Sequence, residues 1–377
     1  MKFSSLEENL KHGLFIVGHV AGKNQNLPIL NNVMIEAKEG NIKFTSTNLE
    51  IGISSVIRGK VDRDGSYTVD SKILSDYISL LPNKKVEIEH KDDKIIVDCE
   101  NFKTKIKGQS AEDYPLIPGI DRTGVCRVDA SAFKKAVSQV VFAASTNETR
   151  IELSGVLFSF NENELTLAAT DSYRLTEKKI QITNELSEEQ RNKKFIIPAK
   201  TVQEIYRVLS GSKENLADES NILEIYLSEN QVLFVYGTTE LISRLIEGQY
   251  PDYRQIIPTV SKTVAIVETN QLVKAVKASS LFSKTGINDI NLDFPKETRQ
   301  MMISSASGMA GENITGVDAE IIGEDNGAVV NYRYLLDGLS NIDGDVIKIE
   351  IVDNNTPCII RAEKDDSYLY IIMPIKQ

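Results

Sequence analysis

The sequence predicts an α+β protein made of three copies of one unit, each about 125 residues long. Three observations carry this prediction. Two helical patterns each occur three times, pairs of alternating strands run around them, and 377 residues exceed what one ordinary core organises.

The first helix places Leu10, Gly13, Leu14 and Val17 at i, i+3, i+4 and i+7, which is one helix face. Phe133, Ala136, Val137 and Val140 repeat the spacing, as do Leu272, Ala275, Val276 and Ser279, with a small residue at i+3 each time. Strand pairs follow at 33–46, 86–98, 156–169, 222–236 and 346–362, around turns such as Glu39-Gly40-Asn41 and Lys91-Asp92-Asp93. The second helix aligns without gaps as "VDSKILSDYISLL" (69–81), "IPAKTVQEIYRVL" (197–209) and "VNYRYLLDGL" (330–339). Asp70, Pro198 and Asn331 suit its start as cap or first-turn residues. A closing element, "IKGQSAEDYPLIP" (106–118), resembles "IEGQYPDYRQIIP" (246–258). The domains are therefore expected at 1–122, 123–256 and 257–377, with linkers near 119–125 and 258–262. The polar stretches 184–194 and 210–221 read as insertions in the middle copy.

Composition is that of a globular protein, 41% hydrophobic and 26% charged. No apolar run approaches the roughly 18 residues of a membrane span, and the acidic N-terminus lacks the apolar stretch of a signal peptide. A cytosolic protein is expected. Cys99, Cys126 and Cys358 are far apart and read as buried free thiols.

A net charge of −11 argues at first against a nucleic-acid partner. The placement of charge argues otherwise. Helices expected over 6–22, 71–85, 129–145, 198–213, 269–284 and 331–339 hold 13 basic and 6 acidic residues, leaving the acid to sheets and loops. Lys72, Lys200 and Arg333 sit in the first turn of the second helix, against the helix dipole and about 200° from the apolar Leu74, Val202 and Leu335. Two readings stay open: an ion pair with Asp76, Glu204 or Asp337 at i+4, or a face that meets phosphates.

Phosphate-binding glycine loops and a zinc set are missing from the sequence. His12 and His19 read as helix-surface residues, so no catalytic triad is expected and no metal or cofactor. "AATDSYRL" (168–175) ends a strand and exposes an aromatic and a guanidinium side by side.

Five stretches in order then resemble one family: "MKFS" at the start, "NLPILNNVMIEA" (26–37), "ATDSYRL" (169–175), "PDYRQIIP" (251–258) and "YIIMPIKQ" at the end. The family is the bacterial DNA sliding clamp, the β subunit of the replicative polymerase holoenzyme, and the resemblance covers the whole length. It implies three clamp domains with helices lining an inner face, antiparallel sheets outside, and two chains joined head to tail in a ring. Twelve helices packed side by side would enclose a circumference on the order of 110 Å, wide enough for duplex DNA. The implied function is a processivity factor, not an enzyme, that slides on DNA without reading its sequence. The implied partners are double-stranded DNA, a second copy, the clamp loader, the polymerase catalytic subunit and other proteins with a clamp-binding motif.

The resemblance also implies sites. A peptide pocket would include Arg150 and Leu153, then Thr170, Ser172, Tyr173, Arg174 and Leu175. Pro251, Gln255 and Ile256 would add a second wall. Asn331, Tyr334, Ile371, Ile372, Met373, Pro374 and Ile375 would complete it. DNA would meet Lys23, Asn24, Lys72, Asn147, Lys200 and Arg333. The ring seam would pair Thr104 and Ile106 with Leu281 and Phe282. Gln255 stands where the family often has a basic residue, and Thr104 where it often has an aromatic. Two rival readings are a protein scaffold that no longer closes on DNA and a hydrolase or nuclease.

Overall fold

The computed structural model describes residues 1–22, 26–147, 149–211 and 221–376. Seven helices lie among them: α1 (Glu7–Gly18), α2 (Ser71–Ser79), α3 (Ala130–Val140), α4 (Glu188–Asn192), α5 (Ala199–Gly211), α6 (Thr269–Ser280) and α7 (Tyr332–Asn341). All the expected strand pairs form. The expected helices form too, the first five shorter than expected and the last running on to Asn341. Pro82 lacks the amide to continue α2, and Lys84 and Lys85 therefore lie beyond it, Lys85 opening the strand Lys85–Lys91. The insertion at 184–194 contains α4, and of the stretch 210–221 residues 212–220 lie outside the described ones. Within the six longer helices the count falls to nine basic against five acidic residues. The basic bias remains, but it is smaller than the wider spans suggested.

The predicted faces are the buried ones. Leu10, Leu14, Val17, Phe133, Val137, Leu272 and Val276 are all buried. Gly13 shows why the i+3 position is small, since a Cβ there would meet Phe44 at 2.9 Å. Asp70 caps α2 by accepting from the Ile73 amide at 2.8 Å, and Asn331 caps α7 through the Arg333 amide at 2.9 Å. Pro198 ends the strand Lys194–Pro198, one residue before α5 begins.

Contacts divide the chain into two compact units. The first comprises Met1–Lys134, Ile182–Gln190 and Gln203–Leu245; the second comprises Lys135–Gln181, Arg191–Val202 and Ile246–Gln377. Among the described residues each is organised on one long antiparallel sheet, of 14 strands in the first and 12 in the second. In the first unit, Thr239–Arg244 from the middle repeat pairs with Ile51–Ile57 from the first, Leu241 opposite Ile53. In the second, Arg174–Gln181 from the middle repeat pairs with Asp365–Ile372 from the third, Thr176 opposite Tyr370. The middle repeat thus gives strands to both sheets, because backbone pairing continues across repeat boundaries. Cys99, Cys126 and Cys358 are buried and free; burial pushes the last two thiols up to about 12.

Candidate functional site

The second unit gathers most of the residues around "ATDSYRL". The turn is built by its own polar side chains. Thr170 Oγ1 donates to the Arg174 carbonyl (2.6 Å) and accepts from the Ser172 amide (3.1 Å), while Asp171 Oδ1 accepts from the Tyr173 and Arg174 amides (2.9 and 3.0 Å). Ser172 takes a left-handed φ of 78°. That conformation turns Tyr173 outward, where its side chain is 62% exposed and stacks on Tyr334 with ring centroids 6.3 Å apart. Arg150 donates to Ser172 Oγ at 3.2 Å and to Glu152 at 3.0 Å.

Arg174 departs from expectation. It is not exposed beside Tyr173; its side chain is 11% accessible. Nε donates to Asp171 at 3.1 Å, one terminal nitrogen bonds Asp337, and the other donates to the Phe142 carbonyl at 3.0 Å. The guanidinium lies over the rings of Tyr334 (4.7 Å) and Phe142 (5.4 Å). Burial opposes its charge, but the Asp337 hydrogen bond and the nearby Tyr370 and Asp171 outweigh that and hold its pKa above the ordinary value. Arg174 therefore fixes the site's frame rather than offering free donors. Phe142 had no local signal in the sequence, because its carbonyl is brought in by a different element.

The remaining expected residues form a floor and a rim. Leu153, Leu175 and Ile371 are buried together with Tyr250 and Tyr253. Ile372 is buried as well, in the neighbouring core. Met373, Pro374 and Ile375 follow the last strand half-buried. The tail is tied down by the Met373 amide on the Tyr173 carbonyl (2.9 Å) and the Ile375 amide on the Val329 carbonyl (2.7 Å). Pro251 is half-buried; Gln255 and Ile256 are exposed, with Gln255 donating to Asp252 at 2.9 Å. The floor is apolar, the rim carries an aromatic pair, and one methionine can adapt to a guest.

Lys72, Lys200 and Arg333 are exposed while Leu74, Val202 and Leu335 are buried. Among the described residues none of the three pairs with its acid at i+4. Glu204 is instead bonded by His19 (2.7 Å) and Arg207 (2.5 Å), and Asp337 by Arg174. Of the two open readings, the ion pair is the one the geometry removes. His19 is exposed just past α1 as expected, but it is tied to the buried Glu204. Asn147 is exposed, its side-chain oxygen accepting from Thr149 N (3.0 Å) and Oγ1 (2.7 Å). Lys23 and Asn24 lie outside the described residues.

At the expected seam, Leu281 is 75% exposed and Phe282 half-buried. Ile106 is buried by its own sheet and Thr104 half-buried, so the large apolar side chain offered by that strand is Phe102, which the sequence reading missed. Residues 102–107 pair with Lys94–Cys99 on one side only, and residues 311–318 pair with Gln300–Ser307 on one side only, among the described residues. Both are open strand edges. No described helix is long and apolar enough to cross a membrane, and no cluster of potential metal ligands occurs among the described residues.

Comparison with known proteins agrees over the full length. Models of the N-terminal, central and C-terminal domains of the DNA polymerase III beta subunit match residues 1–118, 127–252 and 254–376. The chain is 31% identical over 361 residues to the beta sliding clamp of Staphylococcus epidermidis, covering 93% of this chain and 92% of that one. It is 28% identical to the beta sliding clamp of Bacillus subtilis, each covered completely. The crystal structure of the Bacillus subtilis DNA polymerase sliding clamp superposes with a TM-score of 0.91 at 28% identity, over 100% of this chain and 99% of that one. The Thermotoga maritima DNA polymerase III beta subunit gives 0.92 at 25% identity, with the same coverage. Three α+β repeats on antiparallel sheets, matched in order by all three domains, make this chain a member of the DNA polymerase III beta subunit family, the bacterial sliding clamps.

Proposed function

We propose that two copies close head to tail into a ring around duplex DNA and hold the replicative polymerase there. The observation that carries this reading is the ordered match of all three clamp domains, here taken as 1–122, 123–256 and 257–377. Lys72 and Lys200, with Arg333 as their third-repeat counterpart, supply exposed cations without an acidic partner among the described residues at one helical position per repeat, suited to phosphates without reading bases. Asn147, Lys23 and Asn24 would add contacts in the loops. The open edges at 102–107 and 311–318, flanked by the exposed Phe102 and Leu281, would pair across the seam as neighbouring strands do.

Clients would dock through short linear motifs on the floor of Leu153, Leu175 and Ile371, between the Tyr173–Tyr334 pair and Met373. The polymerase catalytic subunit and the clamp loader would use this pocket in turn. The ring performs no chemistry, needs no cofactor and works in the cytosol. Retention is topological, so weak contacts suffice. Native mass measurement tests closure, since the ring needs a species of twice 41.9 kDa. Loading on nicked circular against linear DNA tests encirclement: loss from linear ends alone supports it, and equal loss from both rejects it.

A further inference from the structure

The turn that carries Tyr173 has a twin in the first repeat. Thr47 Oγ1 donates to the Ile51 carbonyl (2.9 Å) and accepts from the Leu49 amide (3.0 Å), while Asn48 Oδ1 accepts from the Glu50 and Ile51 amides (3.0 and 2.8 Å). These are the bonds of Thr170 and Asp171 over again, and φ at Leu49 is 75° against 78° at Ser172. The neighbouring strand repeats as well. The Arg244 amide donates to the Glu50 carbonyl (3.4 Å) as the Met373 amide does to Tyr173. Arg244 thus holds the place of Met373, Glu50 that of Tyr173, and Gly52 that of Leu175.

The two turns differ in what fills the layer beside them. Leu175 is packed into a cluster of ten buried residues. Beside Gly52 the equivalent cluster is only Val125, Tyr226, Leu233 and Ile242. Gly52 lets Ile117 lie across the strand, since a Cβ there would stand 2.8 Å from it. A cavity of about 350 Å³ remains, walled by Met34, Ile53, Ile117, Leu233 and Ile242. It adjoins a mouth lined by Leu49, Glu50, Leu116 and Arg244, with Leu116 95% exposed. Arg122, on the cavity wall, is bound to Glu240 at 2.5 Å, whereas the exposed Arg244 guanidinium has no hydrogen bond or ion pair among the described residues.

We propose that this groove docks a short extended peptide, with an apolar side chain in the cavity and one carboxylate on Arg244. The cavity has room for an apolar side chain against Ile117, Leu233 and Ile242, although Glu36, Lys43, Arg122 and Glu240 also line it, and the spare cation at its mouth calls for an anion, a pairing stronger than a neutral hydrogen bond. Glu50 at the same mouth repels a second acid, so the peptide carries a single one. The inference rests on the reading of the tail-side pocket for its analogy, and the experiment separates the two.

The chain has no tryptophan, so Leu116→Trp in the full-length protein makes a reporter at the mouth. The probe is the acetylated, amidated peptide Ser-Leu-Ala-Leu-Asp-Ser, with lysine replacing aspartate as control. The expected result is a saturable shift of emission to shorter wavelength with the acidic peptide. Its affinity should weaken by roughly tenfold or more in Arg244→Glu and in the milder Arg244→Gln, and stay unchanged in Met373→Ala with Pro374→Ala. No shift, or equal shifts with the lysine control, would overturn the proposal. Binding lost only in the Met373 and Pro374 variant would overturn it too, while leaving the tail-side pocket standing. Loss of client binding there alongside a retained emission shift would support both.

Discussion

Arg174 is held on all sides by the protein, and that makes it a positioning residue. Replacing it with alanine removes the partner of Asp171 and uncovers the Phe142 carbonyl, costing about 3 kcal/mol by the usual scale for a buried charged partner. Denaturant unfolding of Arg174→Ala should show that loss, together with weaker client binding. Met373→Ala with Pro374→Ala removes half-buried rim atoms only. It should leave the unfolding midpoint and the dimer nearly unchanged while client affinity falls at least about tenfold. Wild-type affinity in that double variant would mean the pocket lies elsewhere.

At the scale of elements, the strand pair Arg174–Gln181 and Asp365–Ile372 is locked by a polar cluster. The buried Lys178 donates to Asp365 (2.9 Å) and Ser367 (2.6 Å), and Ser367 also bonds Asp365. Burial pushes the Asp365 carboxyl up, but the hydrogen bonds from Ser367 and Lys178 win and hold it down at about 2. A depressed carboxylate stabilises the fold fully above its ordinary value of about 4, and that contribution disappears as pH falls through about 2. Asp365→Asn should therefore destabilise the protein at neutral pH by an amount that shrinks between about pH 4 and pH 2. Unfolding midpoints measured across that range check it, and a gap independent of pH would rule out this assignment.

At the scale of the molecule, the proposed function depends on closure and on the exposed helical cations. Lys72→Glu with Lys200→Glu should shorten retention on nicked circular DNA and leave the melting temperature within a degree or two, because both side chains are exposed and unpaired. Unchanged retention would count against the helical cations. Leu281→Asp should raise the monomer fraction in native mass spectra, since a charge at an apolar seam loses its water. A dimer that persists at nanomolar concentration would place the seam elsewhere.

The sequence by itself determined the helices, the strand pairs, the threefold repeat and the family. These rest on local periodicity and turn chemistry: Gly13 against Phe44, Asp70 capping α2, and Thr170 with Asp171 shaping their own turn. It also identified Lys72, Lys200 and Arg333 as side chains turned away from the core. It overstated their surplus, because helix ends are set by single residues such as Pro82. What only the tertiary structure decided is which groups meet across long separations. Asp337, which one of the two open readings paired with Arg333, instead holds Arg174, 163 residues away in the chain; Glu204 serves His19 and Arg207. Ile106 turned inward and left Phe102 as the exposed apolar group. Periodicity fixes the direction of a side chain on its own element, whereas its partner depends on which other element the packed sheets bring alongside.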